Sequence, residues 1–236
     1  MTSQDRLARN MKVAILGHSF VRRLEEFSRD TREKVHPEHD ISYHGRSGSQ
    51  IENIFSMIDD IPESTHLVFI QSGGNDINPK KRPASIASAM VRLAERIVHS
   101  RGIPVLIGSV FVRPKPRYQT AEDYDKDRKE LNSELKHILK YKTKIRLSKH
   151  EKFFRRGPEK PHMLDDGVHL NPIGQKLFML FIRKEIDKAL RKFYTLHGPN
   201  FKIRPNIPPA ERERLTSMKS HNFYSSHVPY KRRETI

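Results

Sequence analysis

The chain has 236 residues, carries 45 Lys and Arg against 28 Asp and Glu, and contains no cysteine. The lack of cysteine excludes a disulfide scaffold, a thiol nucleophile, an iron–sulfur cluster and cysteine-ligated zinc. The formal net charge of +17 indicates a polyanionic partner or an anionic surface, and does not define a fold.

No apolar run approaches the roughly 20 residues that cross a bilayer. The polar stretch 1–12 also lacks the apolar core of a secretory signal. We therefore expect a soluble, intracellular protein, cytoplasmic or nuclear, with no membrane span.

Short apolar runs alternate with helical patterns between residues 12 and 195. The predicted strands, in chain order, are Val13 to Leu16, Ile41 to His44, Leu67 to Gln71, Pro104 to Val112 and Thr143 to Leu147. The predicted helices lie around Phe20 to Phe27, Ile51 to Ile58, Ile86 to Ile97, Leu131 to Ile138 and Pro172 to Phe193. Gly102 is predicted to end the third helix, as a C-terminal cap. The alternation predicts an α/β fold with a five-stranded, mostly parallel sheet and helices on both faces.

The periodic pattern has a flank on either side. We interpret residues 1–11 as an N-terminal tail, 12–195 as one domain and 196–236 as a basic C-terminal tail. Segment 196–236 holds eight Lys and Arg against three Asp and Glu, and its prolines break any helix. We expect this tail to be poorly ordered and to be a candidate contact for nucleic acid.

Four short motifs lie where a parallel α/β sheet binds ligands, beyond the carboxyl ends of its strands. They are Gly17-His18-Ser19, Gly45-Arg46-Ser47-Gly48, Gly73-Gly74-Asn75-Asp76 and Asp166-Gly167-Val168-His169. Each alone is typical of a helix cap or a turn. Together they supply a nucleophile, a base, a carboxylate and hydrogen-bond donors for an oxyanion.

The residue types predict a specific chemistry. Ser19 becomes a nucleophile only if an imidazole, His169, takes its proton, and that imidazole needs a carboxylate, Asp166, on its other nitrogen. Backbone N–H groups of Ser19 and Gly48, with the Asn75 amide, are predicted to form the oxyanion hole.

This constellation resembles the SGNH hydrolases, or GDSL-type esterases, over Lys12 to Tyr194. Ser19 matches the nucleophile of the Gly-Asp-Ser block, Asn75 the asparagine of Gly-x-Asn-Asp, and Asp166 with His169 the final Asp-x-x-His block. Gly48 matches the second-block glycine, with Gly45 as a rival assignment. The resemblance implies a flavodoxin-like, three-layer α/β/α fold and hydrolysis of acyl esters without a cofactor.

Two positions leave questions open. His18 replaces the usual aspartate before the serine, and we expect it to pack or to face solvent. Asp165 is expected to be a loop residue, although it could compete with Asp166 for the histidine. No Gly-x-Ser-x-Gly elbow surrounds Ser19, which argues against the α/β-hydrolase family.

Other ligand sites have little support in the sequence. The histidines His36, His39 and His44 are expected to form a solvated loop without a metal, because no His-Glu-x-x-His signature is present. No phosphate loop and no dinucleotide fingerprint occurs, so we expect no nucleotide cofactor.

The leading hypothesis is a serine esterase or deacetylase acting on small acyl groups, with acyl transfer as a close variant. The alternative is a nucleic-acid-binding accessory module that inherited an esterase fold. Domains of this type resemble those attached to some retrotransposon-encoded RNA-binding proteins, and the positive charge motivates this alternative. The sequence does not indicate the oligomeric state.

Overall fold

A computed structural model describes residues 10–150 and 162–197. The strands are β1 Lys12–Gly17, β2 Asp40–Gly45, β3 Leu67–Gln71, β4 Val105–Gly108 and β5 Ile145–Ser148. The helices are α1 Ser19–Thr31, α2 Ile51–Phe55, α3 Pro83–Arg101, α4 Ala121–Ile138 and α5 Pro172–His197, with short 3₁₀ turns at Ser56–Ile58 and Leu139–Tyr141. The sheet order is β2-β1-β3-β4-β5, and every pairing is parallel. The predicted α/β fold is confirmed.

Two apolar clusters lie on opposite faces of the sheet and make the fold three-layered. Alternation along β1 directs Val13 and Ile15 to one face and Ala14 and Leu16 to the other. The first face packs against α1 and α5, and the second against α2, α3 and α4. All five residues of β3 are buried, as the apolar run in the sequence predicts for a central strand covered on both sides.

The termini of two helices follow the sequence signals. Gly102 ends α3 in the left-handed region, with φ of 70°, and its N–H donates to Val98 O, so the predicted cap is confirmed. Helix α5 begins at Pro172, as predicted, and extends to His197, two residues beyond the predicted domain boundary at 195. Of the tails predicted for 1–11 and 196–236, residues 1–9 and 198–236 lie outside the described residues.

Strand β4 is shorter than predicted, ending at Gly108 instead of Val112. The reason is a side chain of α4: Asn132 Oδ1 accepts from Val110 N at 2.8 Å, and Asn132 Nδ2 donates to Val110 O at 3.2 Å. These bonds take the place of a strand partner for Val110, and residues 110–120 form a loop. Strand β5 is Ile145–Ser148, where Thr143 to Leu147 was predicted.

No helix within the described parts of the chain is long and apolar enough to cross a membrane.

Candidate active site

Ser19, His169 and Asp166 form one hydrogen-bonded chain. Ser19 is the first residue of α1, directly after β1, and is 6% exposed. His169 Nε2 lies 3.0 Å from Ser19 Oγ, and His169 Nδ1 lies 2.7 Å from Asp166 Oδ2. An imidazole held in this way can accept the hydroxyl proton on Nε2 while Nδ1–H donates to the carboxylate.

A tight hairpin turn places the carboxylate and the imidazole. Leu164 N donates to His169 O, Gly167 N donates to Leu164 O, and Gly167 has a φ of 63°. Asp166 Oδ1 accepts from the backbone N–H groups of Val168 and His169 at 2.8 and 2.9 Å. Burial opposes ionisation of Asp166, but hydrogen bonds from the His169 backbone and ring and from Val168 lower its pKa to about 2. The carboxylate is therefore ionised at neutral pH.

The rival carboxylate, Asp165, lies elsewhere in the turn. Its side chain is exposed, and its backbone carbonyl accepts from Lys115 Nζ at 2.7 Å. The bond to His169 Nδ1 comes from Asp166. The structure thus brings Asp166, and not Asp165, to the histidine.

Asn75 and Gly48, the predicted oxyanion donors besides Ser19, line one cavity. Asn75 Nδ2 donates to Ser49 O at 2.9 Å, which uses one of the two protons of the amide. Gly48 adopts a φ of 73°, and nothing lies within 4 Å of the place where a Cβ would be. The rival Gly45 has a packing role instead, since a Cβ there would come within 2.4 Å of Arg22 N on α1.

Sequence reasoning missed Arg113, which holds Asn75 from behind. Arg113 is 6% exposed, and its Nη2 donates to Asn75 Oδ1 at 2.9 Å. Its Nη1 donates to Gly74 O at 2.8 Å, and the guanidinium lies 5.8 Å from the centre of the Tyr124 ring. A Cβ at Gly74 would lie 2.8 Å from Nη2, so the second glycine of Gly73-Gly74-Asn75 makes room for the guanidinium. Gly74 was the one sign in the sequence that a large side chain packs against this loop.

His18 is buried, which agrees with the packing alternative left open for it. Its side chain is the N-cap of α1, with Nδ1 accepting from Phe20 N at 3.4 Å. Burial, then the charges of Arg113 and His169, hold the pKa of His18 well below its usual value. A neutral imidazole thus caps the helix at position 18, where the Gly-Asp-Ser block has an aspartate.

Asp76 joins the third motif to the start of α2. Both carboxylate oxygens lie 3.3 Å from Ile51 N, and Lys81 Nζ lies 3.3 Å from Oδ1. Burial raises the pKa of Asp76 to about 6, although the Ile51 N–H and the Lys81 charge oppose that shift. This contact ties the loop carrying Gly48 and Ser49 to the loop carrying Asn75.

The expectation of a solvated histidine loop is wrong for two of its three members. His36 and His39 are buried and stacked with ring centroids 3.9 Å apart, and His36 Nε2 lies 3.0 Å from Asp187 Oδ1 on α5. His36, His39 and Asp187 each offer one ligand atom, and these atoms all lie within 4.8 Å of one another. Among the described residues, this group could hold a metal ion. His44 is separate and lies 3.1 Å from Ser42 Oγ.

The chain matches the model of a known protein family. A model of the GDSL-like Lipase/Acylhydrolase family matches residues 13–177, a range that includes all four motifs. No curated protein matches the chain significantly.

Solved structures share the fold. A GDSL-like lipase from Bacteroides thetaiotaomicron is similar with a TM-score of 0.59 and 21% identity, over 79% of this chain and 94% of that one. An acetyl esterase mutant with an acetate ion has a TM-score of 0.59 and 16% identity, over 78% and 99% of the two chains. A carbohydrate esterase family 3 protein from Talaromyces cellulolyticus has a TM-score of 0.55 and 15% identity, over 77% and 99%.

Proposed function

The chain belongs to the GDSL-like lipase/acylhydrolase family, and on that basis we propose that it is a serine esterase that removes acetyl or other short acyl groups. The observation that carries the proposal is the chain of hydrogen bonds from Ser19 Oγ through His169 to Asp166. Family membership supports a hydrolase, and the hydrogen bonds that link Ser19, His169 and Asp166 support a serine nucleophile.

The reaction begins at Ser19. Its Oγ attacks the ester carbonyl carbon while His169 Nε2 takes the hydroxyl proton, and Asp166 stabilises the imidazolium through Nδ1–H. The tetrahedral intermediate collapses with cleavage of the ester C–O bond, and His169 gives its proton to the leaving alcohol. Water, deprotonated by His169, then attacks the acyl-enzyme and releases the acid and free Ser19. An acceptor alcohol in place of water would give acyl transfer through the same acyl-enzyme.

The oxyanion formed in both steps needs donors fixed in advance. We assign this role to the backbone N–H groups of Ser19 and Gly48 and to the second N–H of the Asn75 amide. Arg113 is a positioning residue here, because it donates to Asn75 Oδ1 and so turns the amide nitrogen toward the substrate side. No cofactor is needed for these steps.

The preference for short acyl groups rests on size. The cavity beside Asn75 and Gly48 has a volume of about 90 Å³, so the part of the substrate that enters it next to the oxyanion donors has to be small. Two of the similar structures, an acetyl esterase and a carbohydrate esterase, have names that fit this proposal.

Labelling with a fluorophosphonate tests the proposal. We expect one adduct, mapped by mass spectrometry to Ser19, and its loss together with turnover of short esters in Ser19→Ala. Ser47→Ala is the matched control, since Ser47 is an exposed serine at the same end of the sheet whose hydroxyl accepts from Arg22. Folded protein that neither labels nor turns over short esters would refute the proposal.

The charge supports a second proposal, that the segment 196–236 binds RNA or DNA. Its eight Lys and Arg exceed its acidic residues by five, and such residues release condensed counterions on contact with phosphates. This binding would accompany the esterase activity and does not replace it.

A further inference from the structure

The cavity beside the proposed oxyanion donors has a positive lining. Besides Gly48 and Asn75, it is lined by Arg113 and Arg117, and by the tyrosines Tyr118 and Tyr124. No acidic side chain lines it among the residues that the structure describes. Arg113 positions Asn75 through one hydrogen bond, but that role gives no reason for a second guanidinium, Arg117, on the same cavity or for the lack of an acidic partner there among the described residues.

Of the two arginines, Arg113 gives the stronger evidence for an anion site. Its guanidinium is buried, yet within residues 10–150 and 162–197 no carboxylate lies within 4.0 Å of it. The acceptors it does have, Gly74 O and Asn75 Oδ1, are both neutral. Removing a cation from water without a counter-charge costs free energy, and that cost is offset when an anion enters beside it.

Arg117 extends the same charge toward solvent. It is exposed, lies 5.3 Å from the centre of the Tyr118 ring, and makes no ion pair among the described residues. A guanidinium stacked on a ring keeps its in-plane N–H groups available for a planar anion. Pro114 and Pro116 restrict the backbone on either side of Lys115, so the loop has limited freedom.

The loop is also fastened to the turn that carries the proposed base. Lys115 N donates to Gly167 O at 3.2 Å, and Lys115 Nζ donates to Asp165 O at 2.7 Å. Gly167 lies between Asp166 and His169. The loop that carries the two arginines is therefore joined to the turn that carries the proposed base by two hydrogen bonds.

We propose that this cavity binds an anionic group of the substrate, a carboxylate or another small oxyanion, located within a few bonds of the ester. Arg113 supplies the buried part of the charge and Arg117 the exposed, specificity-determining part. This inference rests on the proposed esterase function and narrows its substrates to acidic esters. The anion can lie on the acyl side or on the alcohol side of the ester.

Two pairs of substrates distinguish these sides. For the acyl side, the mono-4-nitrophenyl ester of adipic acid is compared with its methylated, uncharged form. For the alcohol side, 4-acetoxybenzoate is compared with its methyl ester. The quantity measured is the ratio of kcat/KM for the charged substrate to that for the neutral one, in the full-length protein and its variants.

We expect Arg117→Gln to lower this ratio about two- to five-fold in one of the pairs, the effect of one exposed charge contact. Arg117→Glu should lower it further, because the charge is then reversed, and 1 M salt should reduce the wild-type ratio by screening. Arg92→Gln is the matched control, since Arg92 is exposed on α3 and does not line the cavity.

The outcomes separate the two proposals. Ratios equal in wild type, Arg117→Gln and Arg117→Glu for both pairs, in protein whose Ser19 labels with fluorophosphonate, would overturn the anionic-substrate proposal and leave the esterase. Absence of both labelling and turnover would overturn the esterase proposal and this one with it. A fall in the ratio confined to one pair assigns the anion to that side of the ester.

Discussion

Replacing Arg113 tests whether a buried cation acts through the amide of Asn75. In Arg113→Met the bonds to Asn75 Oδ1 and Gly74 O, at 2.9 and 2.8 Å, are both lost. The bond from Asn75 Nδ2 to Ser49 O, at 2.9 Å, remains and keeps part of the orientation of the amide. We expect kcat for a neutral acetyl ester to fall while KM changes little, because the amide is needed mainly in the transition state.

The size of the effect has an upper limit. Loss of a whole oxyanion donor lowers kcat by about 10²–10³, and this is the expectation for Asn75→Ala. Since Arg113→Met leaves the donor present but less well oriented, we expect a loss of about 10- to 100-fold, below that limit. Arg113→Lys should recover part of it, because an ammonium can reach one of the two acceptors but cannot donate to both in the plane of a guanidinium.

A double-mutant cycle separates positioning from general damage. If Arg113 acts through Asn75, adding Arg113→Met to Asn75→Ala should cost little further activity. The assay is steady-state hydrolysis of 4-nitrophenyl acetate, with thermal unfolding as a check on folding. Equal losses from Arg113→Met in the wild-type and Asn75→Ala backgrounds, or an effect on KM alone, would refute the positioning role.

Three further predictions concern the carboxylate and the tail. Asp166→Asn should lower kcat by up to about 10⁴, because the wrong histidine tautomer is then favoured. Asp165→Asn should change kcat little. If steady-state kinetics show the reverse, the carboxylate that orients His169 is Asp165. Because the pKa of Asp166 is lowered to about 2, its ionised form stabilises the fold above its unfolded pKa of about 3.9. The difference in Tm between wild type and Asp166→Asn should therefore be present above pH 4 and shrink as the pH falls toward 2, and a constant difference would contradict the linkage. Changing the basic residues 231–233 to Gln should flatten the slope of log K against log salt for single-stranded RNA by about 2, at about 0.7 per lost phosphate contact, with ester turnover retained; an unchanged slope would remove these residues from binding.

Local patterns were sufficient for most of the fold and for the placement of the first three motifs. Apolar runs of four or five residues predict buried strands, and parallel strands bring their carboxyl ends to one edge, so the loops after β1, β2 and β3 had to meet. The pairing of Asp166 with His169 is also local, because a turn brings residues three apart within hydrogen-bond distance. Such features depend on residues close together in the chain, and the sequence alone is therefore enough to predict them.

The remaining features depend on side chains far apart in the chain. Asn132 ends β4 from 22 residues away, and Arg113 reaches Asn75 across 38 residues. Asp187 on α5 meets His36 across 151 residues, and this contact accompanies the burial of His36 and His39 in a loop that was expected to be solvated. Periodicity reports which face of an element is buried, but not which polar group of another element will satisfy its backbone or charge. That choice is made only when the layers pack, and it places Arg113 behind Asn75 in this protein.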